Sequence, residues 1–223
     1  MSELNQLLLN FDQKQNFNYN DFYVSKSNFF AFKLIENWPK WEKRVINIYG
    51  EKNCGKSHLA EIFKSKYKAI IFDEKKLNQD FFLNLKLYEN LILDDFENNT
   101  DEKLLYSLFN FVDHENKYLI INSRTPLINI KFKLKDLNSR VKNCLLAEIK
   151  IPDDELIFAL LLKNFSDKQI KVNKKLIDYI VKRIDRSYSK ISEFIYKIDE
   201  LSLKKKKPIN ISSLKEILEV EIE

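Results

Sequence analysis

In 223 residues the chain uses glycine twice, at Gly50 and Gly55, and both stand in one stretch, VINIYGEKNCGKSHLA, residues 45–60. A chain that otherwise avoids glycine keeps it where a side chain would obstruct the backbone. The spacing G-x-x-x-x-G-K-S, set between an apolar run and a helical pattern, is that of a loop whose amides wrap a phosphate. In such a loop Gly50 and Gly55 let the main chain approach the ligand. The turn through Asn53 and Cys54 and the helix start up to His58 supply amides and positive potential. Lys56 then reaches the β- and γ-phosphates, and the Ser57 hydroxyl is a ligand for Mg²⁺.

The rest of the chain supports that placement. VINIY (45–49), KAIIF (68–72), NLILDDF (90–96), YLIINS (118–123) and CLLAEIK (144–150) read as strands. Helical patterns separate them: SHLAEIFKSKY, KLNQDFFLNLKLYE as one helix or a pair, and DEKLLYSLFNFVDHEN. Alternation of this kind predicts a parallel five-stranded sheet covered by helices on both faces. Upstream, Phe29, Phe30, Ala31, Leu34 and Ile35 recur at helical spacing, with Ser27 as the expected N-cap and an end near Trp38-Pro39. After Pro152 the texture becomes helical throughout, with Asp153, Asn173 and Ser212 as expected caps. The reading divides the chain into an arm (1–20), an α/β nucleotide-binding domain (21–151) and a small all-helical lid (152–223).

Asp94 and Asp95 close the third strand. With a phosphate loop upstream, Asp94 is placed to join the Mg²⁺ shell and Asp95 to orient an attacking water. Asn122 and Ser123 end the fourth strand, where a polar side chain either holds the hydrolytic water or simply closes a turn. Cys54 and Cys144 are too few for a disulfide framework, which points to a reducing, cytoplasmic setting. A net charge of +5, from 38 Lys+Arg against 33 Asp+Glu, falls short of a nucleic-acid footprint. The run Lys204 to Lys207 reads as a solvated helix end.

Phosphate loop, LILDD, a polar end to strand four, LKDLNSR (134–140) and a helical lid, in that order, resemble the DnaA branch of the AAA+ ATPases. GEKNCGKSHLA is similar to that branch's phosphate loop, and DFYVSKSNFFAF to its segment beside the base. Among its members the likeness is greatest to a regulator that inactivates the replication initiator. The resemblance implies ADP or ATP with Mg²⁺ as ligand and weak intrinsic ATPase activity. It makes Arg140, in LNSR, an arginine finger acting in trans; on position alone it is a surface arginine. It places the lid's sensing arginine at Ser189; either Arg186, one turn earlier on the same helix face, substitutes for it, or the lid does not read the nucleotide through arginine. Ser25 stands where the branch has glycine.

The arm carries QLLLNF, apolar residues without a local core. Gln6, Leu7, Leu9 and Phe11 resemble the peptide that docks on the replicative sliding clamp, the β subunit of DNA polymerase III. The expected partners are therefore the initiator DnaA and the clamp on DNA. Sequence-specific DNA binding and a membrane are not expected, since no helix-turn-helix follows the lid and no apolar run approaches bilayer length; a homodimer is admitted. The rival reading is a self-sufficient AAA+ ATPase that loads or remodels a helicase, marked by strong turnover without the clamp.

Overall fold

The computed structural model describes residues 19–99, 101–168, 170 and 172–205, the side chains of 20 and 201–205 excepted. The QLLLNF segment with Gln6, Leu7, Leu9 and Phe11, the cap Ser212 and the last helix expected of the lid lie outside the described residues.

Five strands form one parallel sheet: β1 (Val45–Gly50), β2 (Ala69–Phe72), β3 (Asn90–Phe96), β4 (Tyr118–Ser123) and β5 (Leu145–Ile149), in the order β2-β3-β4-β1-β5. The three central strands are dominated by branched apolar residues buried on both faces, as a doubly covered parallel sheet demands, while the edge strands β2 and β5 are less completely buried. On one face α1 (Phe29–Glu36) and α2 (Lys56–Lys66) set Ala31, Ile35, Leu59 and Phe63 against Ile46, Ile48, Ile92 and Ile120. On the other, α3 (Phe81–Leu85), α4 (Glu102–His114) and α5 (Lys135–Lys142) cover Val45, Leu91, Leu93, Leu119 and Ile121 with a layer that includes Leu105, Leu108, Val112, Leu137 and Val141.

The sheet matches the expectation strand for strand, to within one residue at each end. Three local expectations fail. Ser27 does not cap α1: the helix starts after Asn28, and the Ser27 hydroxyl pairs with that of Ser25 at 2.7 Å. Asn28 points backwards, its Oδ1 accepting from the Ser25 amide at 2.9 Å, which leaves α1 without a side-chain cap. Phe29 and Phe30 are about half exposed, and Ala31, Phe32 and Ile35 face the core instead. The segment 76–89 forms neither the single helix nor the pair expected: Asn78 Oδ1 takes the Phe81 amide at 2.9 Å, opening the turn into the five residues of α3, the one α-helix there.

Beyond β5 the chain forms α6 (Asp154–Asp167), α7 (Lys174–Val181) and α8 (Tyr188–Lys205), packed around Ile157, Leu161, Phe165, Ile177, Ile180, Phe194 and Ile198. Two caps are as expected: Asp153 accepts from the Leu156 amide at 2.8 Å and Asn173 from the Leu176 amide at 2.9 Å. Leu156 and Tyr188 belong to the sheet's core cluster, so this helical unit is joined to the α/β layer where α6 and α8 begin.

One polar side chain is sealed inside the sheet. Asn47 is fully buried on β1; its Nδ2 donates to the Ile121 carbonyl and to Ser123 Oγ, both at 2.9 Å, while its Oδ1 accepts from the Leu127 amide at 2.9 Å. The network fixes the turn leaving β4. Asn47→Ala strands a buried amide and carbonyl, so a loss of about 2–4 kcal/mol is expected, against about 1 kcal/mol for removing the Asp153 cap. Urea unfolding of the two variants measures both, and equal losses would contradict the assignment.

Candidate phosphate site

The C-terminal ends of β3, β4 and β1 lie side by side, the edge at which open α/β sheets take their ligands. Ile48 pairs with Asn122 and Tyr49 with Ser123, so β4 ends level with the start of the loop Gly50–Gly55. β3 reaches the same level through a bulge between Leu93 and Phe96, where Asp95 takes a φ of 53°. The sequence-derived residues Asp94, Asp95, Asn122, Gly50, Asn53, Cys54, Gly55, Lys56, Ser57 and His58 thus share one edge of the fold.

Both glycines are required by their surroundings. A Cβ on Gly50 would stand 2.6 Å from the Ile149 carbonyl oxygen and 3.0 Å from Cys54 Sγ. Gly55, with φ 99°, starts α2 in the left-handed region, and a Cβ there would press on the Phe22 ring at 3.2 Å. Phe22 in turn meets the His58 ring edge-on, 5.2 Å between centroids. The segment before α1 is thereby packed against the loop.

Lys56 is only 8% exposed, and it is folded onto the loop itself. Its Nζ donates to the carbonyls of Gly50 and Glu51, each at 2.8 Å, and lies 3.6 Å from Cys54 Sγ. A buried ammonium keeps such partners only until a stronger acceptor arrives, and a phosphate is one. Burial pushes the Cys54 thiol above its ordinary pKa in spite of Lys56, and pushes Cys144 up to about 12. Both thiols stay protonated at neutral pH.

Across the edge, Asn122 Nδ2 donates to Asp94 Oδ1 at 2.7 Å. Because Asp94 can only accept when ionised, the amide orientation is fixed, and Asn122 Oδ1 is left buried without a partner. An orphaned acceptor suits a water, which can donate to it, and not a phosphate oxygen, which cannot. Asp94 is half-buried and Asp95 exposed, and Ser57 is exposed at the start of α2. Ser57 and Asp94 are hard oxygen donors, which fits Mg²⁺ with phosphates completing its shell. Among the described residues no group of three metal-ligating side chains occurs, so such an ion would depend on the nucleotide.

Two expected residues are engaged elsewhere. Arg140 on α5 pairs with Asp113 and donates to Asn110 Oδ1 at 2.9 Å, both on α4. Arg186 pairs with Asp154 at 2.9 Å, at the start of α6. Apart from Asn53, whose Nδ2 donates to Ser192 Oγ at 3.5 Å, polar contact between the helical unit and the loop is made by a residue the sequence reading passed over. The Glu51 carboxylate takes the Ser187 hydroxyl and the amides of Tyr188 and Ser189. Its one signal was the oddity of an acid in a loop shaped for anions.

A phosphate loop after β1 of a parallel sheet ordered β2-β3-β4-β1-β5, with a helical unit behind it, defines the AAA+ P-loop fold. No protein-family profile matches the chain. In sequence it is similar, at low identity, to the AAA+ domain of the replication initiator DnaA. It is 22% identical to DnaA of Treponema denticola over 234 residues, covering 93% of this chain and 50% of that one. An uncharacterized Haemophilus influenzae protein is 24% identical over 212 residues, 89% of this chain and 91% of its own. The chain therefore spans about half the length of the DnaA relatives it matches. Domain III of Thermotoga maritima DnaA superposes with a TM-score of 0.72 at 16% identity, over 92% of this chain and 95% of that one. AMPPCP-bound DnaA of Aquifex aeolicus gives 0.67 at 21%, over 84% and 66%.

The two thiols give a direct check on the packing of the loop. In the folded chain iodoacetamide at pH 8 should label Cys54 and Cys144 at least about tenfold more slowly than in denaturant, because thiolate is the reactive form and both are buried. Rapid labelling of Cys54, read by mass spectrometry, would contradict the packing against Gly50 and Lys56.

Proposed function

We infer that the chain is a nucleotide-binding regulator of chromosome replication initiation, of the Hda type, which promotes hydrolysis of DnaA-bound ATP while tethered to the DNA-loaded sliding clamp. The observation that carries this reading is the Lys56 loop facing the Asp94–Asn122 pair, on a chain whose sequence similarity runs to DnaA. The bound AMPPCP of Aquifex aeolicus DnaA supports ADP or ATP with Mg²⁺ as this chain's ligand.

In this reading Gly50 to Ser57 cradle the phosphates, Ser57 and Asp94 hold Mg²⁺, and Asn122 with Asp95 orients water. The polar contact of the lid falls to Glu51, for Ser189 replaces the expected arginine and Arg186 turns to Asp154. A lid without that cation favours retention of nucleotide over rapid turnover. Arg140 is the group offered in trans: a guanidinium is always charged and forks onto γ-phosphate oxygens where transition-state charge develops.

The arm supplies the tether. Burying Leu7, Leu9 and Phe11 on a partner contributes about 1.5–3 kcal/mol each, offset by about 1–2 kcal/mol per residue ordered. Gain and cost are of the same order, so the arm is a weak, reversible hook, to which Gln6 adds a directional amide contact.

Titration with a fluorescent ADP analogue tests the ligand. The wild type should bind, and Lys56→Ala should weaken binding by at least about a hundredfold, since a charge-assisted phosphate contact is removed. A reconstituted assay with ATP-bound DnaA and DNA-loaded clamp tests the rest. Arg140→Ala should abolish stimulation and keep clamp binding, whereas Gln6→Ala with Phe11→Ala should lose clamp binding. Strong turnover by the chain alone, independent of clamp, would favour the helicase-loading ATPase instead.

A further inference from the structure

The phosphate loop and the first turn of α8 meet through one carboxylate. Glu51 Oε1 accepts from the Ser187 hydroxyl and, at 3.4 Å, from the Ser189 amide, while Oε2 accepts from the Tyr188 amide at 3.0 Å. Ser187 Oγ also receives the Lys190 amide at 3.5 Å. The orphan donors of this helix start are thus shared between a local serine and a residue 136 positions earlier in the chain. One turn further on, Asn53 Nδ2 donates to Ser192 Oγ at 3.5 Å. Burial alone would raise the Glu51 pKa, but the donations from Ser187, Tyr188 and Ser189 bring it below the ordinary carboxylate value, so the contact is made by the charged form.

Two observations make this more than a helix cap. Glu51 also holds Lys56, through its main-chain carbonyl at 2.8 Å. One residue therefore grips the loop's lysine with its backbone and the helical unit with its side chain. In addition Ser187, just before α8, and Tyr188 and Ser189 in its first turn face the loop, none of them a cation, while Arg186 is paired with Asp154.

We propose that Glu51 is a positioning residue that ties α8 to the phosphate loop while Lys56 is folded onto the carbonyls of Gly50 and Glu51, and that loosens this tie when a bound phosphate takes Lys56. The coupling rests on the nucleotide-binding reading given above. Its physical basis is differential charge: a phosphate held by the loop brings negative charge toward the Glu51 carboxylate and draws Lys56 off the Glu51 carbonyl. The Glu51 contact with α8 is therefore weaker in the occupied loop. By linkage, weakening that contact alters the free energy of binding the nucleotide by the same amount. A chain with the expected arginine on α8 would respond in the opposite sense, its helix drawn toward the phosphates.

Amide hydrogen exchange on the full-length chain, with and without ADP and Mg²⁺ at concentrations that saturate each variant, tests the coupling. In the wild type, exchange at Tyr188 and Ser189 should accelerate about tenfold on adding ADP, the scale of one charge-assisted hydrogen bond. In Glu51→Gln it should be fast already and insensitive to ADP. Ser187→Ala, which alters the helix side of the same contact, should move in the same direction. A purely structural cap gives fast exchange in Glu51→Gln but no response to ADP in the wild type, and that result overturns the proposal. So does a Glu51→Gln chain that keeps the wild-type response. If the wild type fails to bind the fluorescent ADP analogue, the nucleotide reading falls and the coupling with it; if binding holds and exchange does not respond, only the coupling falls.

Discussion

The geometry of the site hangs on the turn at Gly50, which is made so close to β5 that the Ile149 carbonyl would lie 2.6 Å from any Cβ. That approach places the loop between three other parts of the chain. The Lys150 amide donates to the Ser27 carbonyl at 2.9 Å, bringing in the segment that carries Phe22. The Tyr188 hydroxyl donates to the Lys150 carbonyl at 3.1 Å, bringing in α8. Burial raises the Tyr188 pKa to about 12, so this hydroxyl remains a donor across the physiological range. Loop, N-terminal segment, β5 exit and helical unit therefore meet at one point.

The sheet was legible in the sequence because its strands are buried on both faces, and a run such as LILDDF or YLIINS has no other stable use. The loop was legible because glycine is so rare. Reading failed where partners distant in sequence decide. Ser27 has the composition of a cap, yet its hydroxyl is claimed by Ser25 and its carbonyl by Lys150. Phe29 and Phe30 fit an apolar stripe, but the start of α1 turns them outward. The role of Glu51 could not be read from sequence because its three donors lie across 136 to 138 residues. No local pattern encodes them.

Buried polar groups show how the site edge is kept rigid without being filled. Asn47 satisfies every group it faces, and it holds the turn after β4 from inside the sheet. Asn122, one strand face away, satisfies only one side of its amide and leaves an acceptor unmet. In a low-dielectric setting a fully met network stiffens structure, whereas an unmet group costs about 1–3 kcal/mol until something donates to it. The two asparagines thus divide the work: one fixes the edge, the other leaves it a place for a donor.

The ion pair between Arg140 and Asp113 bears on whether the proposed finger can act. A guanidinium bonded to Asp113 and Asn110 looks committed to its own chain. Yet the arginine and aspartate side chains are 39% and 43% exposed, and exposed pairs contribute only about 0–1 kcal/mol after solvent screening. For a finger acting in trans as proposed, a γ-phosphate would offer more charge and a forked set of acceptors than Asp113, and the pair is too weak to oppose that exchange. Until that partner arrives, Asp113 and Asn110 limit the rotamers of a long side chain and reduce the entropy lost on engagement. The intramolecular pair is thus compatible with a finger held ready, and its weakness is what that role requires.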